Sequence, residues 1–179
     1  MYDIKPFDSL SVGDEVSICK TITEADGAMY IAATGDCGPV HIDEGYAKGT
    51  RFGQRLAPGI LVAGICTSVL TAELVGTLGV SIEDRFWFLG PVFYGDTLRF
   101  RVWISGKDPE TRTMTWQASA ENEDDKQVLK AEATLKFPRV KPAIVPAAPT
   151  PVASAATAAG ADATIPAGAP AGTATKEGV

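Results

Sequence analysis

The sequence predicts an α+β fold, an antiparallel sheet packed against one buried helix. Two observations carry this. No charged residue occurs between Arg55 and Glu73, and a helix apolar on every side is a buried one. Downstream, three runs alternate strictly: Leu98, Phe100, Val102 and Ile104; then Met114, Trp116, Ala118 and Ala120; then Leu129, Ala131, Ala133, Leu135 and Phe137. A period of two with one apolar face is the mark of a half-buried strand. Helix and antiparallel strands segregate into the layers of an α+β domain.

Taken in order, Ser11 to Asp14 predicts a turn and Glu15 to Ile22 a strand, with Val16, Ile18 and Ile22 on one face. Thr23 predicts a helix cap, with Asp26 three residues on as a weaker capping box, and Glu24 to Ala33 the helix it starts. Between Asp36 and His41 the residues Cys37, Gly38, Pro39 and Val40 predict an irregular loop, because Gly weakens a helix and Pro lacks the donor. Glu44 to Lys48 predicts one further helical turn, and 49–55 a loop. Pro58 suits the first turn of the apolar helix, which falls short of the roughly 20 apolar residues a membrane span needs. Ile82 to Leu89 predicts another strand, Gly90 to Asp96 a turn-rich connection, and Glu121 to Lys126 a charged hairpin loop.

The chain of 179 residues has room for one ordinary domain, assigned to residues 1–140. Residues 141–179 turn abruptly to Ala, Pro, Thr and Gly without aromatics. Such a composition buries too little apolar surface to offset its ordering entropy, so a disordered tail is expected there. A net charge of −6 argues against non-specific nucleic-acid binding. The three cysteines, Cys19, Cys37 and Cys66, show no metal-ligand spacing and the lone histidine leaves few ligands, so no metal is expected. Reduced thiols and an N-terminus without an apolar h-region place the protein in the cytoplasm.

The chemistry sits between Tyr30 and Asp43. Asp36 and His41, the only histidine, lie five residues apart. A carboxylate and an imidazole so placed can share one water and move protons on a small molecule. A lone His is also often a hydrogen-bonded structural residue and Thr-Gly-Asp an ordinary turn, so the spacing alone leaves both readings open. Further on, Gly59 follows Pro58 at a helix start, where unpaired N–H groups can polarise a carbonyl as an oxyanion hole does. Lys48, Arg51 and Arg55 are the cations of this stretch that an anionic ligand would need, and each is equally read as part of a solvated loop.

The stretch resembles the signature of the R-specific enoyl-CoA hydratases, the MaoC-like or hydratase-2 family. Their pattern is aromatic, two or three residues, small residue, Gly, Asp, any residue, Asn, Pro, aliphatic, His, any residue, Asp. Tyr30, Thr34, Gly35, Asp36, Pro39, Val40, His41 and Asp43 fit it, and Gly38 stands at the Asn. Phe52-Gly53 with Leu56 to Leu61 resembles the family's Phe-Gly and Ala-His-Gly-Met-Leu segment, with Pro58 at the His. Gly90 to Asp96 is similar to its Pro-Val-x-x-Gly-Asp. The resemblance covers roughly Ser11 to Pro138.

It implies a hot-dog fold, a sheet wrapped round a long central helix, and reversible hydration of a trans-2-enoyl-CoA to an (R)-3-hydroxyacyl-CoA. Asp36 and His41 become the catalytic pair, Asp36 as general base and His41 as water-orienting proton donor. Gly59 becomes the oxyanion donor, and Thr67 falls where some members have a substrate-site Ser. Lys48, Arg51 and Arg55 become candidates for the CoA phosphates. The substrate travels as a CoA or acyl-carrier-protein thioester, with no cofactor. Hot-dog domains pair, so a homodimer is implied. Two other readings share the fold: an acyl-CoA thioesterase and a non-catalytic MaoC-like binding subunit. The order and spacing of Asp36, Pro39 and His41 favour the hydratase over the first. Retention of both Asp and His favours it over the second.

Overall fold

A computed structural model describes residues 5–76 and 79–139; the expected tail lies outside them. A 3₁₀ turn, Phe7–Ser9, leads into strand β1 (Glu15–Thr21), helix α1 (Glu24–Thr34), and two short helices, α2 (Pro39–Ile42) and α3 (Glu44–Lys48). The apolar helix α4 (Gly59–Val69) follows and continues as a π-helical segment, Leu70–Val75. Strands β2 (Val80–Phe88), β3 (Thr97–Asp108), β4 (Thr113–Glu121) and β5 (Gln127–Lys136) complete the sheet.

The five strands are antiparallel in the order β1-β3-β4-β5-β2. The alternation read from the sequence sets the register. Phe100 pairs with Ile18 on one side and Ala120 on the other, and Ala118 pairs with Ala131. Leu98, Phe100, Val102, Ile104, Met114, Trp116, Ala118, Ala120 and Ala131 are all buried and face the same core as Val62, Cys66 and Val69 of α4. Full burial of such a side chain contributes roughly 1.5–3 kcal/mol, so this alternating face holds the domain together. Burial also pushes the Cys66 thiol up to about 12, which removes it from nucleophilic chemistry.

Two local expectations need correction. Cys37 to Val40 is not wholly irregular: Pro39 opens the one-turn helix α2, which carries His41. Proline is tolerated there because the N–H it lacks would have no partner at a first helical position. Helix α4 begins at Gly59, with Pro58 before it as the cap. It is not buried all round, since Ile60, Gly64 and Ser68 lie open along one side. Apolar composition identified the helix, but a single sheet covers only one of its faces.

The α1 cap is the full reciprocal box. The Thr23 side chain accepts from the Asp26 N–H, and the Asp26 carboxylate accepts from the Thr23 N–H at 2.9 Å. Backbone and hydroxyl hydrogen bonds from Thr23, with Lys20 adding at 3.0 Å, hold the Asp26 carboxyl below its ordinary value. The cap is therefore at full strength above the ordinary carboxylate range and is lost as pH falls through the depressed value. At the other end Gly35 takes φ +75°, the left-handed C-cap that glycine adopts without strain, and turns the chain into Asp36.

Candidate active site

Helix α1 ends just before the candidate residue Asp36. Gly35 donates back to the Ile31 carbonyl at 2.8 Å, and the Thr34 hydroxyl accepts from the Asp36 N–H at 3.3 Å. This places Asp36 beside α2. A β-carbon built on Gly38 would lie 3.6 Å from Asp36 Oδ1, 3.7 Å from His41 Nε2 and 3.1 Å from His41 Cδ2. The carboxylate and the imidazole thus both flank Gly38, and a side chain at residue 38 would crowd the ring. Both groups are half-buried.

His41 is held from behind. Its Nδ1 lies 2.9 Å from the Leu56 carbonyl oxygen, and Leu56 N–H donates to the Val40 carbonyl at 3.1 Å. A carbonyl can only accept, so Nδ1 carries a proton whichever charge state the ring is in. The Leu56 segment is itself fixed by a β-bridge between Leu56 and Phe93 and by Ala57 N–H donating to the Val92 carbonyl at 2.9 Å.

His41 and Gly59 line the same cavity, of about 500 Å³. Its walls are apolar, with Phe52, Val62, Phe88 and Leu129 among them, and Arg51 brings a charge to its rim. Gly59 is the first residue of α4, so its N–H has no acceptor within the helix. The Phe88 ring approaches to 3.0 Å of where a β-carbon on Gly59 would sit, so glycine allows this close wall.

Of the other sequence candidates, only Arg51 reaches the cavity. Thr67 lies two turns down α4 with its hydroxyl donating to the Ala63 carbonyl at 3.2 Å, and it is not among the cavity walls. Lys48 pairs with Glu44 at 3.5 Å on the surface. The Arg51 guanidinium rests over the Phe52 ring at 4.7 Å. Arg55 pairs with Glu24 and Glu44 and stacks on Tyr94. Asp43 caps α3, accepting from the Tyr46 N–H at 2.9 Å.

Two participants escaped the sequence reading. Leu56 acts through its carbonyl, which no side chain advertises. Tyr94 packs against Gly27 of α1; burial pushes its phenol above the ordinary range, Arg55 opposes this, and the Glu24 and Asp36 carboxylates add to it. A glycine inside a helix is the signal that such a close neighbour exists.

Comparison with known proteins identifies the family. Residues 12–126 match the family model described as a MaoC like domain. The (R)-specific enoyl-CoA hydratase of Rhodospirillum rubrum is 33% identical over 74% of this chain and 91% of its own. The 3-hydroxybutyryl-CoA dehydratase of Methylorubrum extorquens is 33% identical over 74% of this chain and 84% of its own. Among solved structures, the unliganded R-hydratase from Pseudomonas aeruginosa superposes with a TM-score of 0.69 at 29% identity, covering 79% of this chain and 93% of that one. The family-model match over most of the domain, the relatives 33% identical over 74% of the chain and the hot-dog sheet packed on α4 place the chain in the MaoC-like domain family.

Proposed function

We propose that the protein is a hydro-lyase that adds water reversibly across a trans-2-enoyl-CoA to give an (R)-3-hydroxyacyl-CoA. The observation that carries this reading is that Asp36 and His41 flank Gly38 while His41 and Gly59 line one apolar cavity, although Asp36 itself is not among its walls. The names of the relatives, hydratase and dehydratase, support the same chemistry in its two directions.

In the step as proposed, a water sits between Asp36 and His41. Asp36 takes one of its protons as the oxygen bonds to Cβ. The π electrons move toward the thioester carbonyl, whose oxygen the Gly59 N–H stabilises. Because Nδ1–H is committed to Leu56, His41 donates to Cα only when Nε2 is protonated as well. The proton gained by Asp36 then returns to the imidazole, which leaves both groups as they began. No cofactor enters this scheme. Arg51, at the cavity rim, is the best-placed cation for the phosphates of the thioester carrier, with Lys48 on the same stretch of chain. The exposed thiols of Cys19 and Cys37 suit a reducing, cytoplasmic setting.

The test is the enoyl-thioester absorbance of crotonyl-CoA with chiral analysis of the product. Decay of the band to (R)-3-hydroxybutyryl-CoA is expected. Release of free CoA thiol instead would make the protein a thioesterase.

The homodimer belongs to the same proposal. Strand β2 closes one edge of the sheet and leaves its outer N–H and C=O groups open. Val80, Ile82, Phe88 and Leu89 are each more than half exposed, and Phe88 and Leu89 also form the cavity wall. A second copy pairing β2 to β2 would cover this edge and complete that wall. Ile82→Lys, which leaves His41 and Asp36 untouched, is expected to convert a dimer to a monomer by light scattering and to weaken hydration. An unchanged dimer would remove β2 from the interface.

A further inference from the structure

We propose that Arg55 is a positioning residue, which keeps the Nδ1–H of the His41 ring on Leu56 by clamping the Leu56 carbonyl, and that it does not bind the substrate's phosphates. The inference extends the hydratase reading and rests on it for its kinetic arm. Three observations meet at this side chain. The guanidinium pairs with Glu24 at the start of α1, and its Nε donates to Glu44 at the start of α3 at 3.3 Å. Its plane also lies over the Tyr94 ring at 5.5 Å. Arg55 therefore ties two helices and the connection before β3 to one point of the backbone.

The next residue along is Leu56, whose carbonyl receives the His41 Nδ1–H. A residue clamped on three sides restricts the peptide unit that follows it. The Leu56–Phe93 bridge and the Ala57 hydrogen bond to Val92 fix the far side of that unit. Arginine suits this role because its planar fork serves two carboxylates and an aromatic face at once, which a lysine ammonium cannot do in one geometry. The same pairing argues against a phosphate role: the charge of Arg55 is already met by Glu24 and Glu44, its side chain is only 24% exposed, and it is not among the cavity walls. Arg51 lines that cavity instead.

The chain's single histidine makes the consequence directly visible, since long-range ¹H–¹⁵N correlation of the imidazole contains one ring only. Wild-type protein is expected to show the Nδ1–H tautomer, and Arg55→Met to show a mixture with the Nε2–H form. Displacing a catalytic group by about an ångström costs on the order of 10²-fold in rate, so a loosened carbonyl is expected to lower kcat at least about tenfold. KM for crotonyl-CoA stays near wild type, and crotonyl-pantetheine, which has no phosphates, shows the same fall. Glu24→Gln and Glu44→Gln each give a smaller shift of tautomer, which keeps the test open should Arg55→Met fold poorly. A rise in KM confined to crotonyl-CoA would return Arg55 to phosphate binding. A wild-type tautomer in all three variants would overturn the clamp. Should the wild type not hydrate crotonyl-CoA, the hydratase reading fails while the tautomer spectra still decide the clamp.

Discussion

Asp36→Asn and His41→Gln are each expected to lower crotonyl-CoA hydration by about 10²–10⁴-fold, the range that positioned general acids and bases contribute. The two changes act differently. Asn keeps the size of Asp36 and can still hold a water, but it cannot take a proton from it. Gln at residue 41 keeps an amide able to donate to the Leu56 carbonyl, so the α2 turn stays anchored while the ring's second nitrogen is lost. Both groups are half-buried and Asp36 lies outside the core, so the fold is expected to persist, and circular dichroism checks that it does. Because the pair works on one water, the double variant is expected to be scarcely slower than either single one, as for residues that act as a unit. Additive losses would mean that the two serve separate steps. An Asp36→Asn enzyme with near-normal rate would leave His41 to act alone and would refute the proposed base.

The sheet was legible because its signal is local and repeated. Each of the three alternating runs states its own inward face, and the register pairs those faces directly. The α1 cap was legible for a similar reason, since both halves of the box lie within four residues. Proline at residue 39 misled because a residue that interrupts helices also starts them, and only the neighbouring geometry distinguishes the two. The open face of α4 was hidden for a different cause: composition reports how apolar a helix is, not how many layers cover it. Of the candidate site, Asp36, His41 and Gly59 are proposed from residue type and spacing alone. The bond that orients His41 was not legible, because its acceptor is a backbone carbonyl fifteen positions away. The pairing of Arg55 was not legible either, because a cation in a loop gives no hint of carboxylates supplied by two separate helices.

Gly27→Ala is expected to destabilise the protein, against the helix propensity of the two residues. In an open helix the change would favour the folded state by about 1 kcal/mol. Here Gly27 is buried in the first turns of α1, and an added β-carbon would fall 2.3 Å from the Tyr94 hydroxyl oxygen, with ring carbons at 2.5 and 2.7 Å. No real β-carbon tolerates such contacts, so either the ring or the helix must move. The ring is not free to swing, because the Arg55 guanidinium lies over it. Overpacking of this kind typically costs about 1–3 kcal/mol, which outweighs the propensity gain and lowers Tm by several degrees, on the order of 5 °C for a domain of this size. If α1 is the part that yields, Asp36 moves with it, since Gly35 and Asp36 hang on the helix's last turn through Ile31 and Thr34. Activity then falls with stability. Tyr94→Leu in the same chain removes the obstructing ring atoms and is expected to recover the stability lost to Gly27→Ala. Calorimetry of the two single variants and the double variant measures that coupling. A Gly27→Ala protein more stable than wild type would show that Tyr94 does not pack against α1, and the route from that helix through Arg55 to His41 would have to be redrawn.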